Sequence, residues 1–585
     1  MLEQRVPGLL VVTAPGAGQP PADCVSALAR EALPCLAQVG GVWVSTWGLT
    51  PTIPDRTTPV LLSGTNRSEG GRIPPGRIAD WLAAGDLRHL GQMLPPFGAL
   101  GLTADGLRLA TDEIGFQQLF RCQGKGWEAV STSARLLAGC LGDGLDPEAL
   151  LLQSQLGWQL GDLTVFAGVR KITQGTGVSI TREGLHFERG VFPSPVPGSI
   201  GMDEAVPMAV DTLRPFLERY LDETIGPTIQ LTGGQDSRLV LSAIPPSRRK
   251  GLKAMTLDVP GGVDAAIAAR LCRRYGLRHS VHGLEALTKL DPAEAFTRTL
   301  TEAYRHECMV DPLARAATAL AEESFDQGER LPGLGGELAR GFYYVGRVRP
   351  LSVTRRRSDH LARWRMLSNE AVEEQLLAPE VRAHALPTAQ DLVHRALLDG
   401  GPEWFSATDD LYYNHRTARW AGLCESAVAL RRTLTNPMLD HRFLWLARNL
   451  APREKANARF LGRLQVALDP ELADEPLDNR PPPSAYARPT VSNGLRIQGA
   501  KLHRLSDKVR QRLAGQSRPA AGAALLGAKL TTHLAHEPQV LDAARRSGVL
   551  SEAWLDAVAE GSLQPTPASL ALLMNLIATD GLETW

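Results

Sequence analysis

The sequence predicts a mixed α/β chain in two parts: antiparallel sheets first, then a mostly parallel α/β unit with a largely helical C-terminal region. Three observations carry this. Short alternating strands broken by Gly and Asp crowd between Phe97 and Ser131. A stiff stretch, Pro193-Ser194-Pro195-Val196-Pro197-Gly198, then interrupts the chain. Beyond it strands alternate with helices, and the remainder is mainly helical.

Taken in order, the apolar run Leu9 to Ala14 reads as a first strand and Val42 to Trp47 as another, with a helix over Ile78 to Leu90. Phe97 to Leu102, Leu107 to Thr111, Gln117 to Arg121 and Trp127 to Ser131 are spaced like a meander. Helices follow at Ser133 to Leu141 and Pro147 to Leu156, then strands at Leu163 to Phe166, Gly177 to Thr181 and Leu185 to Arg189. These elements assign residues 1–195 to one domain and 201–585 to a second, with a helical extension from about 490.

In the second part Met202 to Tyr220 is an amphipathic helix, and Pro227 to Leu231 a buried strand leading to a helix from Asp236 to Ile244. Lys253 to Asp258 is a second strand. Asp264 to Tyr275 is a helix with Ile267, Leu271 and Tyr275 on one stripe and Gly276 as its stop. Asp311 to Ser324 is a helix and Leu331 to Leu334 a third strand. Helices are expected at Ala371 to Ala378, Ala389 to Leu398, Leu411 to Leu434, Phe443 to Leu450, Phe460 to Leu468, Leu502 to Leu513 and in the tail Pro538 to Leu582, with a loose hinge at Arg518 to Ala524.

Bulk properties exclude several classes. Among 585 residues, 63 basic and 63 acidic side chains cancel, which argues against a nucleic-acid binder. The seven Cys are scattered without a C-x-x-C, so a structural zinc site is not expected and reduced thiols fit a cytoplasmic protein. No apolar run reaches the ~20 residues of a membrane span.

The chemistry concentrates in Ile229-Gln230-Leu231-Thr232-Gly233-Gly234-Gln235-Asp236-Ser237-Arg238. A strand, a Gly-Gly turn and a helix start make an anion site, because the first helical N–H groups are unpaired and partially positive. The glycines let backbone approach a phosphate. Thr232 and Ser237 offer hydroxyls, and Asp236 a ligand for a divalent cation. No Lys follows the glycines, so this is not the G-x-x-x-x-G-K-[ST] loop. It resembles instead the S-G-G-x-D-S pyrophosphate loop of enzymes that split ATP between its α and β phosphates.

Two further blocks extend the likeness. Thr111-Asp112-Glu113-Ile114-Gly115-Phe116-Gln117-Gln118-Leu119-Phe120, with Val130 to Leu137, is similar to R-D-x-x-G-x-x-P-L-Y-Y and A-S-E-x-K-A-L, and Phe166 to Gly175 resembles F-x-G-I-R-K-L-P-P-G. Asn436-Pro437-Met438-Leu439-Asp440 resembles V-P-F-L-D. In order and spacing, from about residue 97 to 480, these blocks resemble the asparagine-synthetase-like ATP-dependent amide ligases. That resemblance implies an N-terminal-nucleophile-type amidohydrolase sandwich followed by a pyrophosphatase-type ATP-binding domain that makes an acyl adenylate.

The resemblance also distributes roles. Leu231, Thr232, Gly233, Gly234, Asp236, Ser237 and Arg238 would surround the phosphates, and Met255, Thr256, Leu257 and Gly333 would flank the nucleotide. Gly333-Leu334-Gly335-Gly336-Glu337 is similar to the signature G-x-G-x-D, which makes Asp236 and Glu337 the Mg²⁺ carboxylates. Lys455, Arg459, Arg463 and Arg480 stand where the family carries basic catalytic groups. Asp264 reads as a substrate contact or, more simply, a helix cap. The Arg347 to Arg365 cluster reads as a solvated insertion or a lid.

Position 2 is Leu2, where glutamine-using relatives carry the nucleophilic Cys, and Leu334 stands where β-lactam synthetases carry a Tyr. The first domain is therefore expected to lack glutaminase activity. With these departures the chain resembles the lasso peptide cyclases. That likeness implies a core peptide as substrate, adenylation of its Asp or Glu side chain, attack by its N-terminal amine, and two partners, a leader-binding protein and a leader peptidase. The alternatives are a small-molecule amide ligase, β-lactam synthetase-like or ammonia-dependent, a tRNA-modifying pyrophosphatase, and a non-catalytic scaffold.

Overall fold

The computed structural model describes residues 6–579 except 17, 143, 191, 260–261, 324, 326–327, 368–370, 479, 489 and 501–521. Leu2, the helix expected at Leu502 to Leu513, most of the hinge at Arg518 to Ala524 and the end of the tail lie outside the described residues.

The N-terminal half is built in helix–sheet–sheet–helix layers. One antiparallel sheet runs in the order Arg170–Lys171, Phe120–Gly124, Trp127–Ser131, Gly8–Thr13, Val42–Trp47, Ala37–Val39. The other runs Gly184–Arg189, Thr176–Thr181, Gly106–Thr111, Gly98–Leu102, Val60–Leu61. Strand Gly8–Thr13 is buried throughout, which its unbroken apolar run requires. Leu9 and Val11 pack with Leu109, Val178 and Ile180 between the sheets, while Leu10 and Val12 pack with Leu28 and Leu137 from the helices outside. Helix Pro75–Ala84 covers the second sheet through Ile78 and Leu82.

The later sheet is parallel, in the order Arg278–His282, Lys253–Leu257, Thr228–Gln230, Arg330–Leu331. Ile229 and Leu231 are fully buried among Phe216, Leu239 and Leu271. This places the ends of the strands, and the turns that leave them, on one side of the sheet, where ligands of open α/β sheets bind. The C-terminal region is helical from Pro379–Asp399 to Pro567–Ala578. No described helix is long and apolar enough to cross a membrane.

Several elements differ from expectation for physical reasons. Ile78 to Leu90 is two helices, because Gly85 adopts a left-handed conformation and ends the first. Leu163 to Phe166 forms only an isolated bridge, Leu145 with Phe166. Leu331 to Leu334 is strand only at Arg330–Leu331, since Gly333 is committed to a backbone contact described below. Ala371 to Ala378 holds a single tight turn, Glu374–Leu376, before Pro379 opens the true helix. Leu411 to Leu434 is a wide, π-type helix at Tyr412–Ala421, then the short helix Gly422–Ser426 and turns. The fourth parallel strand, Arg278–His282, was not expected: it is a polar, partly exposed edge without an apolar stripe.

Polar bonds join the two sides of the Pro193–Gly198 stretch. Gln118 Nε2 donates to the Ala418 carbonyl at 3.1 Å, and Gly161 N donates to His415 Nδ1 at 2.9 Å. Arg419 donates to the carbonyls of Gly161 and Leu163. Arg67, 1 % exposed, reaches Glu223 at 3.1 Å, Thr224 at 2.6 Å and Glu329 at 3.3 Å.

Candidate functional site

The glycine turn folds back on itself. Gly234 is the N-cap of helix Gln235–Ala243 and brings no side chain, so the turn uses hydroxyls from its neighbours. Thr232 Oγ1 accepts from Gly234 N at 3.1 Å, Ser237 Oγ accepts from Thr232 N at 3.1 Å, and the two hydroxyls are 3.0 Å apart. Asp264 is not a helix cap. Its Oδ1 accepts from Gly233 N at 2.6 Å, so a carboxylate already occupies one donor of the turn.

Arg238 plays a different part from the phosphate contact expected of it. It is fully buried, and its guanidinium donates to the carbonyls of Glu475 (2.9 Å), Gly233 (3.2 Å) and Pro476 (2.6 Å). Asp478 N donates to the same Gly233 carbonyl at 3.1 Å. The 475–478 segment is thereby fastened to the turn, and it carries Arg480 close enough for its charge to act on Asp236. Leu231, Met255 and Thr256 are buried in the sheet; Thr256 Oγ1 donates to the Leu231 carbonyl at 2.8 Å, and Leu257 is half-buried. The first three side chains are committed to the sheet, which leaves backbone groups and the half-buried Leu257 for recognition at these strand ends.

The run Leu334-Gly335-Gly336-Glu337 lies directly on the first turn of helix Gln235–Ala243. A Cβ on Gly333 would stand 2.4 Å from Ser237 N, and one on Gly336 would stand 2.2 Å from Asp236 Oδ1. Gly335 has φ +111°, and its Cβ would meet the Met438 carbonyl at 2.8 Å. The Asn436 to Asp440 block is thus the floor of this loop. Asp440 itself caps helix His441–Asn449 and binds Arg442 at 2.9 Å.

This packing brings Asp236 and Glu337 close enough for the Glu337 charge to act on the Asp236 carboxyl. Arg340 bridges them, with Nη1 3.3 Å from Asp236 Oδ2 and Nη2 3.2 Å from Glu337 Oε1. The other oxygens, Asp236 Oδ1 and Glu337 Oε2, are buried and have no hydrogen-bond partner. Burial and the Glu337 charge raise the Asp236 carboxyl to about 7, against the pull of Arg340. Two unpartnered carboxylate oxygens suit a hard cation such as Mg²⁺. Among the described residues no three His, Cys, Asp or Glu side chains gather around one metal position. Phosphate oxygens and water would complete the ligand set, as Mg²⁺ commonly accepts.

The basic residues separate. Lys455 is buried, with Nζ 2.6 Å from Asp409 Oδ2, and the Tyr344 hydroxyl donates to the same oxygen at 2.7 Å. Asn457 (φ 61°) and Ala458 (φ 55°) follow in left-handed conformations, a strain of roughly 1–3 kcal/mol each. Arg459 then opens helix Arg459–Leu468, which packs on helix Gln235–Ala243 and on the Gly336–Ala339 turn. Arg463 does not join the carboxylates: it is 2.7 Å from Asp203, at the surface. Within the basic cluster, Arg347 and Arg349 are exposed, Arg355 pairs with Asp359 and Asp391, and Arg365 donates to the Phe342 carbonyl. That is the solvated reading. Buried His306 accepts a structural role, its Nδ1 2.9 Å from the Glu302 carbonyl.

Sequence reasoning missed Arg340, Asp409, Tyr344 and Tyr412. Arg340 carried a signal, an Arg three residues after an acid on a tight turn. Tyr412 lies one turn beyond Asp409 and is close enough to Glu337 for that charge to help raise its phenol. A cavity of about 350 Å³ lies elsewhere, between Trp47, Gln117, Arg135, Leu300 and Leu430, and none of the predicted site residues lines it. No protein-family model matches this chain, and neither does any curated protein.

Proposed function

We propose that this chain is an ATP-dependent amide ligase of the lasso peptide cyclase type, which adenylates an Asp or Glu side chain of a core peptide and lets the peptide's own amine attack. The observation that carries the reading is the pair Asp236 and Glu337. They come from separate strand ends, lie on a Gly-Gly turn, and keep two buried oxygens without partners. The layered antiparallel half and the parallel sheet are consistent with the amidohydrolase-like sandwich and pyrophosphatase-type domain that the motifs imply.

In this reading Gly233 and Gly234 offer backbone N–H groups to the phosphates once Asp264 releases Gly233 and the Thr232 hydroxyl releases Gly234. Asp236 and Glu337 hold Mg²⁺, which when bound neutralises charge on the departing pyrophosphate. Arg480 and Arg459 supply positive charge from the segments packed on the turn. Leu334 lies half-buried against the core and has no proton acceptor. Asp409, held by Lys455 and Tyr344, is the carboxylate we assign to take the amine proton. The leader-binding protein and leader peptidase belong to the same proposal.

Purified chain, ATP, Mg²⁺ and a leader-free candidate peptide should give AMP, pyrophosphate and a peptide lighter by one water in mass spectrometry. AMP formation with aspartate and ammonia instead would favour a small-molecule ligase. No AMP with either would refute ligase function.

A further inference from the structure

Arg340 is assigned nothing by the motifs, yet it sits at the centre of the acidic pair. It follows the Gly336–Ala339 turn, so its backbone is fixed only three residues from Glu337. Its guanidinium spans both carboxylates, at 3.3 Å and 3.2 Å, and takes one oxygen from each. The planar fork of arginine presents two nitrogens at once for this, where lysine has a single ammonium on a flexible stem. The oxygens left over, Asp236 Oδ1 and Glu337 Oε2, are the two without partners.

The charge count then matters. Metal ligation requires both carboxylates ionised, and with a guanidinium that never deprotonates beside them the liganding site then carries one net negative charge rather than two. A divalent cation arriving alone meets two ligand oxygens beside a fixed positive group, in a buried setting where charges are weakly screened. A cation arriving with a polyphosphate brings its own compensation, and Arg340 then faces anionic oxygens as well. We infer that Arg340 couples the two ligands: it holds the carboxylate pair in place but keeps free divalent metal out, so that metal enters as its nucleotide complex. This deepens the proposed function and rests on it, because it takes the ligand to be a metal–nucleotide complex.

The test is metal binding, independent of turnover. Mn²⁺ alone, and Mn²⁺ with α,β-methylene-ATP, are titrated into the full chain by electron paramagnetic resonance and calorimetry. For the native chain, Mn²⁺ should bind at least about tenfold more tightly with the nucleotide than without it. Arg340→Gln should bind free Mn²⁺ about tenfold more tightly than the native chain and lose most of the nucleotide enhancement. A merely structural role predicts the reverse, since a disordered pair binds metal worse. Arg340→Lys keeps the charge but not the span. It should leave free Mn²⁺ as weak as in the native chain, and it serves as the second variant if Arg340→Gln does not fold. The inference is overturned if the native chain binds metal–nucleotide but folded Arg340→Gln gains no affinity for free Mn²⁺, or if Arg340→Lys gains as much as Arg340→Gln. If the native chain binds neither Mn²⁺ nor the nucleotide complex, the proposed function itself falls, which is a different result.

Discussion

Two glycines only three residues apart should fail in different ways when a single methyl is added. At Gly336 a Cβ would lie 2.2 Å from Asp236 Oδ1, about 1 Å inside ordinary contact, and 2.7 Å from Asp236 Cγ. The obstacle is the end of a side chain, which can rotate away. Gly336→Ala should therefore cost only about 1 kcal/mol of folding stability. The rotation nevertheless carries off the carboxylate and fills the space beside its unpartnered oxygen, so Mg²⁺–nucleotide affinity should drop at least roughly tenfold. At Gly333 the Cβ would meet Ser237 N at 2.4 Å and Asp236 C at 2.7 Å, which are backbone atoms of a helix that cannot rotate aside. Gly333→Ala should cost about 2–3 kcal/mol and lose nucleotide binding too. Gly201→Ala, where nothing lies within 4 Å and φ is −86°, is the control. Thermal melting measures the first quantity and nucleotide titration the second. The reasoning fails if Gly336→Ala binds Mg²⁺–nucleotide like the native chain, or if Gly333→Ala melts at the native temperature.

Other consequences can be checked on the same protein. Lys455→Met leaves the Asp409 carboxylate, 21 % exposed, with only Tyr344, and should cost about 3 kcal/mol in denaturant unfolding; adding Asp409→Asn should restore much of it. Arg238→Lys cannot span three carbonyls and should lose about 2 kcal/mol, with faster amide exchange in residues 475–478 as its local sign. Burial raises the Glu307 carboxyl from 4.5 to about 7. A carboxyl raised on folding contributes stability that is full below its unfolded value and lost as pH climbs through the folded one. Glu307→Gln should thus flatten the decline between about pH 4.5 and 7, gaining on the order of 3 kcal/mol relative to the native chain across that window; an unchanged melting profile would contradict the assignment.

What the sequence disclosed was what is local. The turn at Thr232 to Ser237 was readable because glycines and short hydroxyl side chains act within five residues of one another. Glu337 was readable because its own glycine run marks it. Asp264 was read as a cap because an Asp at a helix start looks the same whether it turns to its own helix or, as here, to Gly233 thirty-one positions earlier. Arg463 was grouped with Lys455 and Arg459 by spacing, but its face of the helix meets Asp203 instead. Tyr412–Ala421 carries an ordinary helical pattern, and its widened form accompanies distant demands: Arg419 and His415 both reach Gly161, and Gly422 packs against Phe116. The carboxylate shared by Lys455 and Tyr344 joins three stretches that sequence separation hides.

The bonds across the Pro193–Gly198 stretch bear on how such a chain can be taken apart. Scission there would strand the Arg67 guanidinium and the His415 ring without their partners on the opposite piece, and would split a core that runs from Leu10 to Ala578. Neither piece is a portable module. A single melting transition is the expected signature, and transplanting the carboxylate pair onto another scaffold would have to carry the antiparallel half along with it. The antiparallel half is structure on which the rest depends, independent of any chemistry of its own.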